Sequence, residues 1–134
     1  GEERTTAFYT EGQSIASLHS FINQVPANHY LGCVEDCTLA VWAYTAEKEL
    51  YRRHPRLESF CRIAVENDFG RHQEQLAAFI IRTPEERYAD LQETRPDLLQ
   101  RVPQYLLAGY LGVTPESLSR IRKRMVRKGA TPPR

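Results

Sequence analysis

Two periods of apolar residues divide the chain. In the first third, Thr5-Thr6-Ala7-Phe8-Tyr9-Thr10 is rich in β-branched and aromatic side chains and stops at Glu11-Gly12. His29-Tyr30-Leu31-Gly32-Cys33-Val34 has the same character. Thr38 to Tyr44 alternates, with Leu39, Val41 and Ala43 on one face and Ala40, Trp42 and Tyr44 on the other. With Glu35-Asp36 as a hairpin turn, these stretches predict three strands, the last covered on both faces. Ser17 to Ile22 predicts one short helical turn, and Asn23 to Asn28, which contains Pro26, a loop.

From Thr45 the period becomes helical. Thr45 is expected to cap a short helix through Tyr51. Pro55 then opens a longer pattern to Arg82, in which Leu57, Phe60, Cys61, Ala64, Val65, Phe69, Leu76, Phe79 and Ile80 recur at spacings of three and four. Such a helix would reach about 40 Å, more than the core of so small a chain requires. One stripe is therefore expected to pack on the β region. Another, through Cys61, Val65, His72, Leu76 and Phe79, is expected to pair with a second copy. Thr83-Pro84-Glu85-Glu86 reads as a stop and a capped restart, hence a domain boundary. A helix over 87–91, a turn at 96–99 and two short helices follow.

The last two helices carry the most information. A tight turn between packed helices needs a small residue at the contact, a residue free to take positive φ, and apolar groups facing inward. Ala108 is the small residue and Gly112 the turn, with Leu107, Leu111, Val113, Leu118 and Ile121 as the interior. Thr114-Pro115-Glu116 begins the second helix and leaves Glu116, Ser117 and Arg120 facing out, a set able to read base edges in a major groove. Thr114, Arg122, Lys123, Arg124, Arg127 and Lys128 are expected to hold phosphates.

Composition sharpens this picture. The 134 residues are 41% hydrophobic and 26% charged, with a mean hydropathy of −0.54. No membrane span or export signal is expected, so the expected compartment is the cytoplasm. Three cysteines suit reduced thiols. Cys33 and Cys37 with His29 would make at most part of a tetrahedral metal site, so no metal is expected. No nucleophile–base order, phosphate loop or carboxylate pair suggests an enzyme. The net charge of +1 conceals a split: residues 1–82 carry 8 Lys/Arg against 11 Asp/Glu, a net of −3, whereas residues 83–134 carry 10 against 6, a net of +4. After Glu116 there are seven basic residues and no acid.

Three phrases carry a family resemblance: Arg82-Thr83-Pro84-Glu85-Glu86-Arg87-Tyr88, Leu98-Leu99-Gln100-Arg101-Val102-Pro103-Gln104, and Tyr110 through Arg122. In these the chain resembles the Crp/Fnr transcription regulators, in particular the shorter members of Bacteroidetes-type bacteria. Phe8 to Leu18, Asn28 to Tyr44 and the helix from Pro55 are more loosely similar to the second half of a cyclic-nucleotide-binding β-roll and its dimerisation helix. The resemblance implies an α+β fold, with a partial sensor β-roll over 1–54, a long dimerisation helix over 55–82 and a helix-turn-helix domain over 83–128. The chain departs from the family in that the residues after Met125 are too few for its β-hairpin wing, and 129–134 are expected to be a disordered tail. The resemblance also implies that the roll's earlier strands would precede Gly1. Ala16-Ser17-Leu18 and Ala27-Asn28-His29 stand where the family holds ribose and phosphate, without carboxylate or guanidinium. cAMP is therefore not the expected effector, and no cofactor is evident. The expected function is a homodimeric, sequence-specific regulator on palindromic double-stranded DNA, with RNA polymerase a partner that the resemblance admits. The alternative is a dimerisation or interaction module that does not itself bind DNA.

Overall fold

The computed structural model describes residues 4–129. Seven helices follow in order: α1 (Leu18–Asn23), α2 (Tyr44–Arg53), α3 (Pro55–Ile81), α4 (Pro84–Thr94), α5 (Pro96–Arg101), α6 (Gln104–Leu111) and α7 (Pro115–Gly129). They belong to two compact units, one of Tyr9–Gln75 and one joining Gly1–Phe8 to Leu76–Arg134.

The α+β expectation is overturned, because the described residues are mostly helical and no strand occurs among them. The partial β-roll over 1–54 is absent with it. Alternation and β-propensity record side chains that suit a half-covered pleated surface, but a strand exists only where a neighbouring backbone completes its hydrogen-bond ladder. Here every residue from 22 to 43 is exposed, Val41 at 88% and Tyr30 at 71%, so neither ladder nor cover forms over 29–34 and 38–43. The first expected strand fails differently. Phe8 meets Tyr110 edge-on, ring centroids 5.2 Å apart, and serves as an aromatic anchor on α6.

In the Tyr9–Gln75 unit, α1 ends at Gln24 in the left-handed conformation (φ 53°). α2 begins one residue before Thr45, with Ala43 at the cap, and Phe21 packs edge-on against Tyr44 at 5.5 Å. α3 contains no buried residue, so the expected burial of one stripe against a β region does not occur. Of the positions assigned to a helical pair, Cys61 is half-buried, while Val65, His72, Leu76 and Phe79 are exposed.

The unit containing α4 to α7 holds the core. Tyr88 and Leu91 of α4, Leu98 of α5, Leu107, Ala108 and Leu111 of α6, and Leu118 and Ile121 of α7 are all buried, with Ala108 at 0%. The segment 96–99, expected as a turn, is the first part of α5, for which Pro96 supplies a pre-set φ at the first helical position. α4 is closed by a reciprocal capping box. Thr83 Oγ1 accepts from the Glu86 amide at 3.3 Å, and the Glu86 carboxylate accepts from the Thr83 amide at 2.7 Å. Gly129 is the last residue of α7, not the first of a tail, and residues 130–134 lie outside those described.

Leu118→Ala removes the most completely enclosed large side chain of this core and is expected to cost about 2–5 kcal/mol in urea unfolding. The Thr83 backbone amide, then its hydroxyl, hold the Glu86 carboxyl below its ordinary range. A depressed carboxyl contributes stability above its unfolded pKa and loses it as pH falls through the folded value. Thr83→Ala should therefore be less stable than the wild type at neutral pH, and the gap should narrow on acidification below about pH 4.

Candidate nucleic-acid interface

The turn between α6 and α7 is set by backbone chemistry. Gly112 adopts φ 71°, its amide donates to Gly109 O at 3.1 Å, and the Val113 amide reaches back to Ala108 O at 2.9 Å. This is the paired closure of a Schellman motif, and a left-handed residue at that point favours glycine. Val113 is half-buried against the core while Gly112 itself is exposed. α7 then starts at once: Thr114 Oγ1 accepts from the Ser117 amide at 3.2 Å, and Thr114 O accepts from the Leu118 amide at 2.9 Å.

At about 100° per residue, Leu118, Ile121 and Met125 fall on one side of α7 and Glu116, Arg120, Lys123 and Arg127 on the other. The burial follows that division. Leu118 is 1% and Ile121 3% exposed, whereas the opposite four are all exposed. The Glu116 carboxyl is held below its ordinary range, first by its own backbone amide, then by the Thr114 hydroxyl and the Arg120 charge. It is an ionised acceptor at neutral pH. Ser117 Oγ takes a hydrogen bond from Arg120 Nη2 at 3.0 Å, so Thr114, Ser117 and Arg120 form one chain of polar contacts along the first turns. Glu116, Ser117 and Arg120, the expected base readers, are thus gathered at the N-terminal part of one helix.

The expected phosphate contacts are not equivalent. Lys123 and Arg127 extend the outward stripe. Arg122 and Arg124 lie on its two flanks. Arg122 Nη1 donates to Gln104 Oε1 at 3.4 Å, while Gln104 Nε2 donates to Pro115 O at 3.4 Å. Arg124 forms an ion pair with Glu85 of α4. The Lys128 side chain lies outside the described part of the structure. Gln104 and Glu85 were not anticipated from sequence, and periodicity carries no signal for them, because both act through partners far along the chain.

Cys33 and Cys37 are exposed free thiols and Cys61 is a half-buried one. Among the described residues no three His, Cys, Asp or Glu side chains come together as metal ligands. Among the same residues, no helix is long and apolar enough to cross a membrane. In comparisons with known proteins, no family model, curated protein or solved structure matches the chain.

Arg124 must leave Glu85 before it can serve a phosphate. Glu85→Gln is expected to raise affinity for a labelled duplex at low salt by about two- to fivefold, the scale of an exposed ion pair. Fluorescence anisotropy reads this directly, and an unchanged affinity would remove Arg124 from the interface.

Proposed function

We propose that the chain is a sequence-specific double-stranded DNA-binding transcription regulator of the Crp/Fnr type, with α7 as the reading helix. The carrying observation is the outward stripe Glu116, Arg120, Lys123 and Arg127, set opposite the buried anchors Leu118 and Ile121 of the same helix. A helix anchored on one side and polar on the other, with its N-terminal turn exposed, suits the major groove. In this reading Arg120 donates two hydrogen bonds to a guanine edge and Glu116 accepts from a cytosine amino group. Ser117 orients Arg120. Thr114 and the first amides of α7 hold a phosphate, and Lys123 and Arg127 supply salt-dependent affinity.

The resemblance to the family is proposed for the C-terminal half, on the phrases around Glu85, Leu98 and Gly112. A homodimer on a palindromic site, with half-sites about 34 Å apart, completes the proposal. It is supported by the exposed apolar side chains of α3, among them Phe60, Val65, Phe69 and Leu76. No catalytic step and no cofactor are assigned. The proposed compartment is the cytoplasm, where the free thiols Cys33, Cys37 and Cys61 would stay reduced. RNA polymerase is a partner only under an activating role. The same exposed face of α3 favours a second reading, a dimerisation or interaction module that does not itself bind DNA.

A salt titration separates the two. The DNA reader should lose duplex affinity steeply and log-linearly with salt, whereas absence of duplex binding at low salt would leave the interaction module. On a matched site, Arg120→Ala is expected to cost roughly 1–3 kcal/mol and to relax base preference at one position. A variant with unchanged affinity and preference would remove Arg120 as a base reader.

A further inference from the structure

Arg87 lies in the first turns of α4, away from the outward stripe of α7, and its contacts are almost entirely to backbone. Nε and Nη2 both donate to Leu111 O, at 3.1 and 2.8 Å. Nη1 donates to Phe79 O at 2.9 Å and to Arg82 O at 2.8 Å. The guanidinium carbon sits 4.3 Å from the centre of the Phe79 ring. Leu111 is the last residue of α6 and Phe79 belongs to the last turn of α3, so these carbonyls are among those a helix leaves without intrahelical donors. Both helix ends carry partial negative charge, and one cation satisfies both.

The Phe79 ring extends the same junction to the turn. A Cβ on Gly112 would lie 2.9 Å from Phe79 Cζ, closer than any packed carbon tolerates, and 3.6 Å from an Arg87 amino nitrogen. Glycine at 112 is favoured by φ 71°, and a side chain there would also have to displace the Phe79 ring tip. The carbonyl that Arg87 grips immediately precedes Gly112, and α7 begins only three residues after Gly112. Whatever fixes Leu111 O therefore fixes the start of the helix proposed to read DNA.

We propose that Arg87 is the positioning residue of this reading head. It clamps the C-terminal ends of α3 and α6 to each other and so sets the pose from which Glu116, Ser117 and Arg120 reach base edges. The proposal rests on the DNA-binding reading for its functional consequence, but not for the clamp itself. A planar guanidinium is needed, since four donors in one plane serve three carbonyls while the face stacks on Phe79. Lysine keeps the charge but has three donors and no plane.

The test is Arg87→Lys in the full chain, with Phe79→Leu as a second variant that removes the stacking ring and leaves every Arg87 hydrogen bond possible. Hydrogen exchange by NMR reads the clamp without DNA. Arg87→Lys should accelerate exchange at the Gly112 and Val113 amides while the Ile121 amide stays protected, and Phe79→Leu should do so to a smaller degree. On DNA, the ratio of matched to mismatched duplex affinity should fall roughly tenfold, the scale of one misread base pair, with the salt dependence of non-specific binding unchanged. A salt slope reduced by about one would make Arg87 a phosphate contact and overturn the proposal. Wild-type exchange in both variants would overturn the clamp. If Arg87→Lys unfolds, Phe79→Leu decides by the same two readouts. If the wild type binds no duplex, the DNA reading fails while the exchange result still stands or falls alone.

Discussion

The left-handed turn at Gly112 is the constraint on which the α4–α7 unit depends. Its two backbone hydrogen bonds close α6. They let α7 leave at an angle that brings Leu118 and Ile121 onto Leu107, Ala108 and Leu111. Ala108 is fully enclosed, so α6 is packed around a residue whose side chain is a single methyl. Tyr88, Leu91 and Leu98 close the remaining sides. A side chain at 112 would meet the Phe79 ring. The dihedral thus selects glycine, and the Phe79 ring tip leaves little room for anything larger.

How much of this was legible follows from the range of the interactions involved. The capping box at Thr83 and Glu86, the glycine at 112 and the inward trio Leu118, Ile121 and Met125 are local patterns, written within a few residues, and such patterns survive in the sequence. Arg87 was not legible as a clamp. Its main acceptor, Leu111 O, is 24 residues away and is a backbone atom, so no side-chain identity at 111 announces it. Glu85 opposite Arg124 was hidden for the same reason. The segment 38–44 shows the converse failure. Its alternation is real, but alternation states a preference for a pleated surface and cannot supply the neighbouring strand. Val41 and Trp42 consequently stand 88% and 59% exposed.

A net charge of +1 averages an acidic stretch with a basic one, and only the position of the charges has physical meaning for a partner. Position alone is still incomplete. Seven basic residues follow Glu116 in the sequence, six of them within α7, and the count does not separate the surroundings they meet there. Arg120 is braced by Ser117, Arg122 by Gln104 and Arg124 by Glu85.

That sorting bears on how such a surface could combine affinity with selectivity. A cation already engaged by a carboxylate gains less from a phosphate, because the new contact replaces an existing one and the displaced carboxylate is left facing the polyanion. In the proposed DNA-binding role, the Arg124–Glu85 pair would therefore weaken indiscriminate attraction along one flank of α7. Arg120 differs, since its partner is a neutral hydroxyl that orients the guanidinium and need not be given up when a base edge accepts from its remaining donors. In the proposed DNA-binding role, phosphate affinity then rests on Lys123 and Arg127, and base choice on Glu116 and Arg120. In that proposed role discrimination depends on the angle at which the first turns of α7 are presented, and that angle is inherited from Gly112 and from the carbonyl just before it.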